Sequence, residues 1–509
     1  MEVCLIFMVL LTFAGDPVPD VNEPHYLARL KSAWNPAWCP GDLFLQSGEA
    51  HVVFVWTFGW LTRWLPLAIV AWLGRILCWI LLAWSWQRLS WRVVPQPFCS
   101  VLAAALFVGL NQQTNFAGEW FLGGFEAKSV AYALVVAGLA AMVQSNWNQL
   151  WSWLGGATAL HALVGGWSWI ACSLVWLLNG RSTTPMRSML PGLAFGILLS
   201  MAGVVPALLL SSGQTAETIA EANQIYVFER LRHHLAPLAL PPGEVTLRLV
   251  RQGCLLVGFV VIGFAARRST TLGSSTGLNR IRYFAWGSIG LAFIGLLGEL
   301  LLWNHPGLAA SLLKYYWFRL ADFAVPLAVA LLLVALIANG LKQQKWWAAA
   351  ALVGALCFAT WQLAEKTIPR LQTAVPRADA RMRDYAAWLD ACQWIEKHTP
   401  TDARFLTPRS ANSFKWRAQR AEVVTHKHIP QDAASVVQWH RQYRDIHSRP
   451  PGSDTKRYQS LGHLGTERIK DLANKYHFDY VLTDNRRLLA LPIAYQNHVY
   501  VVYRTNHVQ

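Results

Sequence analysis

Three groups of side chains in this chain have the types and spacing for chemistry on a phosphate-linked substrate. The first is the stretch 16–27, Asp-Pro-Val-Pro-Asp-Val-Asn-Glu-Pro-His-Tyr-Leu, which sets Asp16, Asp20, Glu23 and His25 directly after an apolar run. A carboxylate so placed can take the proton of an attacking group, with Asp20 and Glu23 the two candidates for that base. The second is Gly118-Glu119-Trp120-Phe121-Leu122-Gly123-Gly124-Phe125-Glu126-Ala127-Lys128, with Glu119, Glu126 and Lys128 as candidate substrate ligands. The third is cationic: Arg230, Arg232, His233 and His234 in one polar segment, and Lys314, Arg319 and Asp322 in another. Cations suit a departing phosphate, because negative charge collects on its leaving oxygen and the planar guanidinium fork matches it.

The elements that must position these groups are membrane helices. Of 509 residues 54% are hydrophobic and only 14% charged, too apolar a balance for a chain surrounded by water. The 27 tryptophans fit a bilayer interface, which accommodates both the indole face and its N–H. A net charge of +16 raises the question of nucleic acid. Many of the cations, however, sit in short loops between apolar runs, and no basic stripe with recognition aromatics occurs, so nucleic acid is excluded as a partner. Six of the eight cysteines lie in apolar runs; Cys39 and Cys392, far apart in polar segments, make neither a disulfide framework nor a zinc site.

Spans are expected at 66–86, 98–110, 129–143, 189–210, 249–266, 284–303, 323–338 and 346–363. Residues 148–178 form two short helices hinged at Gly165-Gly166, and a short first helix covers 1–14, for about eleven membrane segments in all. Arg88, Arg92, Arg181, Arg187, Arg267, Arg268, Arg280, Arg282, Lys342 and Lys345 then fall on one side, which the positive-inside rule assigns to the cytoplasm. The loops 15–50, 111–127 and 212–248 fall on the other. The domains are therefore a helical bundle over 1–363 and a soluble α/β domain over 364–509, on the same side as the acidic loops. That tail has no nucleophile motif, Gly-rich phosphate loop or metal-ligand spacing, and reads as a recognition or lid domain.

The order of features resembles the GT-C class of integral membrane glycosyltransferases, closest to a bacterial branch. The match comprises a first helix, an extracytoplasmic acidic loop with Asp20 and Asn22-Glu23-Pro24-His25-Tyr26, a second acidic loop and an extracytoplasmic C-terminal domain. The resemblance implies a polytopic α-helical protein of the bacterial inner membrane. It also implies a polyprenyl-phosphate sugar donor, an acceptor outside the membrane and a first-loop carboxylate as base. Asn22, where the class usually has an acid, leaves the choice between Asp20 and Glu23 open. No cofactor is assured; the carboxylates alone would suit Mg²⁺ or Mn²⁺, and the resemblance implies that most of the class works without a metal. The competing readings are a transporter or lipid flippase, which would favour broken helices and midplane charges, and a non-catalytic membrane scaffold.

Overall fold

The computed structural model describes residues 1–449 and 457–505, so 450–456 and 506–509 of the expected soluble domain lie outside it. Its first part is helical: α1 (Glu2–Ala14), α2 (Glu23–Trp34), α3 (Leu67–Val93), α4 (Cys99–Gln113), α5 (Ala127–Val143), α6 (Trp147–Leu160), α7 (Ala162–Val175), α8 (Met186–Leu209), α9 (Ala216–Gln224), α10 (Pro242–Arg268), α11 (Thr276–Leu301), α12 (Arg319–Lys342) and α13 (Trp346–Gln372). Among the described residues, seven helices are long and apolar enough to cross a membrane: α3, α7 with its continuation to Gly180, α8, α10, α11, α12 and α13. The apolar helices α1, α4 and α5 are shorter. At 27 residues, α3, α10 and α13 are each about 40 Å long, more than the hydrocarbon thickness.

Burial separates the centre of the bundle from its rim. The most apolar 18-residue stretch of α12 is 89% buried, as expected for a helix that is hydrophobic all round, whereas that of α8 is only 17% buried. The exposed side of the rim is leucine, valine and aromatic, including Leu198, Leu208, Val257, Val261, Val353 and Trp361. An apolar belt of this extent needs lipid against it.

The helix ends fall into two sets. At the basic end, Glu2 accepts the Phe98 N–H, Arg280 donates to Met142 O and Ser145 Oγ, and Thr271 bonds Asn339. At the acidic end, Asp16 pairs with Arg370, Gln113 bonds Gln362 and Glu365, and Glu299 accepts the N–H groups of Leu238 and Ala239. All the acidic-loop candidates lie at this second end.

Several expectations need correction. The α6–α7 break falls at His161, whose extended backbone and Nδ1 cap the Val164 N–H, and not at Gly165-Gly166. Gly165 is instead a close-approach point inside α7: a Cβ there would lie 2.3 Å from the Thr158 backbone nitrogen. Helix α10 starts at Pro242, earlier than Leu249, and much of 212–248 is itself helical. Helix α13 runs on to Gln372, past the expected boundary at 363.

Beyond α13 come α14 (Tyr385–His398), β1 (Arg404–Leu406), α15 (Phe414–Ala418), β2 (Ala421–Glu422), α16 (Ala433–His447), α17 (Thr466–Tyr476), β3 (Tyr480–Asp484), β4 (Ile493–Gln496) and β5 (Tyr500–Arg504). The strands form one sheet in the order β2-β1-β3-β5-β4, parallel from β2 to β3 and antiparallel beyond. The two-residue β2 and the partly exposed β4 carry too little alternation to be read from sequence. The period-two alternation of strands buries both faces. Phe405, Leu482 and Val502 pack on α14 and α15, while Leu406, Val481, Val501 and Tyr503 pack on α16 and α17.

The bundle loops enter this domain. Ala222 of α9 and Ile225 just after it join the second of those cores. From the first loop, Asp42 Oδ2 lies 3.1 Å from Lys415 Nζ, which also contacts Glu422 Oε1 at 2.5 Å and His428 Nδ1 at 2.9 Å. All four side chains are buried. Burial opposes charge on Glu422, but Lys415 and His428 outweigh it and hold the carboxyl below its ordinary value; Asp42 and Glu422 likewise raise Lys415. The contribution of Glu422 is therefore present above the ordinary carboxylate range and lost as pH falls through its lowered value. Lys415→Met would leave two buried acids without their cation, with an expected cost of about 3–5 kcal/mol. Thermal unfolding and limited proteolysis of the 35–50 segment check this; an unchanged digestion pattern would show that the network does not dock the loop.

Candidate functional site

At the acidic end the first loop is built around Glu23. It opens α2 with Pro24 behind it, and is fully buried against Arg75 of α3. Arg75 Nε donates to Oε1 and Nη2 to Oε2, each at 2.6 Å. Oε1 also accepts the Phe125 N–H at 2.8 Å, and Oε2 the Asp20 N–H at 2.7 Å. Arg75 Nη1 donates to Asp16 O at 2.5 Å. Both Glu23 oxygens are therefore fully engaged, which leaves Asp20 the less committed of the two candidate bases. Gly124 is required by the same packing, since a Cβ there would lie 2.6 Å from Glu23 Cγ.

Above this pair stand Asp20 and Glu126, from two different loops. Asp20 Oδ1 accepts the Val21 N–H at 2.7 Å and lies 3.6 Å from Arg377. Its Oδ2 faces Gly123, where an added Cβ would come within 3.0 Å. Glu126 Oε1 accepts Asn22 Nδ2 at 2.9 Å, so the residue that departs from the GT-C pattern has a partner here. Glu126 Oε2 lies 3.4 Å from Lys128 Nζ and, though buried, takes no hydrogen bond. Burial raises the Glu126 carboxyl above its ordinary value; Lys128 and Asn22 oppose that shift and the Asp20 charge adds to it. A raised carboxyl with one oxygen free of hydrogen bonds has the properties of a proton acceptor.

A second group adjoins the first. Arg319 Nε lies 3.1 Å from Glu119 Oε2, and its Nη1 contacts His161 Nε2 at 2.9 Å. Asp322, one turn on, accepts the N–H groups of Phe116 and Ala117 at 2.9 and 2.8 Å and so clamps the second loop. Arg319 and Asp322 do not pair with each other, as their i,i+3 spacing had allowed. Tyr26, packed against His25, His51 and Phe54, feels the charges of both groups. Burial raises its phenol most, followed by the charge of Glu126, with Glu119 acting the same way and Arg319 opposing.

The remaining candidates have other placements. Asp16 pairs with Arg370 at 2.8 Å. His25 lies among Tyr26, Phe44 and His428, and burial, then His428, lowers its pKa and keeps it neutral. Arg230 is spent on the soluble domain, donating from Nε to His426 O at 2.8 Å. His234 Nδ1 contacts Ala117 O and its ring lies 4.0 Å from that of His233. Arg232 is exposed, and Lys314 rests 5.3 Å from the Tyr315 ring centroid. These two join neither group, because their segments turn them away from it.

Three residues escaped sequence reading. Arg75 was hidden in an apolar span, where a lone arginine is itself the signal that a buried acid waits for it. Asn22 was visible only as a departure from the GT-C pattern, with no signal that it would bond Glu126. Lys427 lies in the Thr425-His426-Lys427-His428 stretch after β2, and its ammonium has no hydrogen bond or ion pair among the described residues. Burial, then Arg230 and Lys128, pull it down to about 7, with Glu126 and Asp20 opposing. No group of three or more His, Cys, Asp or Glu side chains suited to a metal occurs among the described residues. Asp20 and Glu126 alone are a thin donor set for Mg²⁺ or Mn²⁺.

A family profile described as a domain of unknown function, DUF6798, matches residues 386–446, the part that supplies Lys415, Glu422 and Lys427. The whole chain is similar to solved structures of the Archaeoglobus fulgidus oligosaccharyltransferase. Its complex with Zn and sulfate is 12% identical over 95% of this chain and 68% of that one, with a TM-score of 0.49. The apo form gives 12%, 95%, 69% and 0.48. The complex of archaeal oligosaccharyltransferase AglB with an inhibitory peptide and a dolichol-phosphate gives 12%, 95%, 69% and 0.47. No curated protein matches the chain.

The two first-loop acids should separate under mutation. Arg75→Met leaves Glu23 buried without a counter-ion and is expected to cost about 3–5 kcal/mol, whereas Asp20→Asn should cost under about 1 kcal/mol. Thermal unfolding of the purified protein in detergent reads both; equal losses would contradict the division of roles.

Proposed function

We propose that this protein is a membrane glycosyltransferase of GT-C type that moves a sugar from a polyprenyl phosphate to an acceptor outside the cytoplasm. The basic end faces the cytosol by the positive-inside rule, which puts the acidic loops and the C-terminal domain together beyond the bilayer of a bacterial inner membrane. The observation that carries the reading is the meeting of Asp20 and Glu126, delivered by separate loops, beside Lys128 and next to the Arg319–Glu119 pair.

In the reaction, the acceptor's nucleophilic atom loses its proton to the Asp20 or Glu126 carboxylate as it bonds to the anomeric carbon of the sugar. The bond from that carbon to the phosphate oxygen breaks, and its electron pair leaves with the phosphate. Lys128 and Arg319 supply positive charge to the leaving oxygen in a site poor in water, where such help is strongest. Glu23 takes no part in proton transfer; it holds Asp20 and Phe125 in register through Arg75.

The test is transfer from a panel of radiolabelled polyprenyl-phosphate hexoses by the full chain in proteoliposomes. Asp20→Asn and Glu126→Gln should insert and fold, and at least one should lower turnover by about 10²–10⁴-fold, the usual worth of a positioned base. A doubly substituted protein with wild-type turnover would refute the acid pair. Movement of the labelled lipid across the bilayer without transfer would favour a flippase instead.

A further inference from the structure

We infer that Lys427, carried by the soluble domain, is the ammonium that binds the phosphate of the lipid-linked donor, so that this domain completes the site and does not merely cover it. The inference rests on the transferase reading above and adds the group that holds the phosphate.

The geometry begins with a turn whose backbone is held from both sides. Arg230 donates from Nε to His426 O at 2.8 Å and from Nη2 to Lys427 O at 3.5 Å, and the Ile429 N–H returns to Lys427 O at 3.0 Å. Below it, Thr425 and His428 are tied to Glu422, in the same buried network that anchors Asp42 of the first loop. The flanking side chains are thus committed to the fold, His426 against the Tyr443 ring and Thr425 and His428 in the Glu422 network, while the Lys427 ammonium takes no hydrogen bond or ion pair among the described residues.

The turn that carries that ammonium stands beside the first loop, where the His428 ring lies 6.2 Å from that of His25 and stacks on Phe44 at 5.1 Å. Asp20 of the first loop, Glu126 and Lys128 at the start of α5, and Arg230 after α9 all act on the ammonium, with none of the acids at ion-pair distance. With Lys427 itself, three cations stand against two acids there, which leaves an excess of positive charge, a costly arrangement in the free protein. The donor's phosphodiester brings one negative charge, and the carrier phosphate released by transfer, a monoester, brings nearly two; either matches that excess. A lysine serving only the fold would instead sit within hydrogen-bond reach of its acid, as Lys415 does.

The pH behaviour follows from the same surroundings. His25, His233 and His426 also face this region, and burial, then neighbouring cations, hold all three below their ordinary value, His233 to about 4 and His426 to about 2. They stay neutral above pH 7. The second ionisation of a phosphate monoester, near pH 6, is complete by then. A fall in phosphate affinity between pH 7 and 9 therefore reports Lys427 losing its proton, and an arginine in its place, charged throughout, should abolish that fall.

The experiment measures binding of undecaprenyl phosphate, with undecaprenol as the control lacking phosphate, to the full chain in nanodiscs by native mass spectrometry. Wild type is expected to prefer the phosphate and to lose affinity from pH 7 to 9. Lys427→Gln should weaken phosphate binding at pH 7 by about tenfold or more, the loss of one charge-assisted contact. Lys427→Arg should bind with little dependence on pH. The unliganded Tm of Lys427→Gln should equal or exceed that of wild type, because a partly buried charge crowded by other cations has been removed, whereas a structural lysine would leave a lower Tm. Wild-type phosphate affinity in Lys427→Gln, or a pH profile shared by wild type and Lys427→Arg, overturns the inference and leaves the transferase reading standing. Equal binding of undecaprenol and undecaprenyl phosphate by wild type overturns both.

Discussion

The arrangement depends on one buried ion pair, Glu23 with Arg75. Neither charge has water to solvate it, and the cost of burying them is offset only because every hydrogen-bonding position on the carboxylate is filled. Its partners come from three places: the first loop through Asp20 and Asp16, the second loop through Phe125, and the membrane helix α3 through Arg75. Rotation of either side chain would strand a charge in an apolar bundle. The pair therefore acts as a fixed point that keeps the two acidic loops at one height above the membrane.

A second constraint works at the level of domains. The soluble part does not hang from α13 alone. Asp42 reaches into it to meet Lys415, and Ala222 and Ile225 supply part of its core. Arg230, a bundle-loop residue, spends its guanidinium on the turn that carries Lys427. Loops and domain are thus one packed unit at the acidic end, and groups from 20, 126 and 427 can share a small volume without any of them being close in sequence. That unit is also where Gly123 and Gly124 have no room for a side chain, so the second loop closes directly onto the first.

How far the site could be read from residue types is uneven, and the reason is physical. The segments carrying the acids were legible because each follows or precedes an apolar run, and the tail's helices 433–447 and 466–476 announce themselves by helical spacing. The roles inside the segments were not legible. Asp20 and Glu23 are the same chemistry three residues apart, yet one is saturated by an arginine and the other is left partly free. Arg319 and Asp322 have spacing that permits a pair, but each finds a better partner on the second loop. Lys427, flanked by histidines in a tail without motifs, gave no sign that it would meet residues of the bundle loops.

By itself the amino-acid order determined that this chain is a bundle of apolar helices with a water-soluble α/β tail, and that its arginine-rich connectors and its acids would gather at opposite ends. Those properties are sums over local stretches: hydropathy over a helix length, charge within a loop, periodicity within a strand. Tertiary structure alone decided which acid is free and which is spent. That outcome turns on contacts between residues 52 apart for Glu23 and Arg75 and 104 apart for Asn22 and Glu126, where a carboxylate's protonation and reach depend on burial and on the few cations brought within ångströms of it.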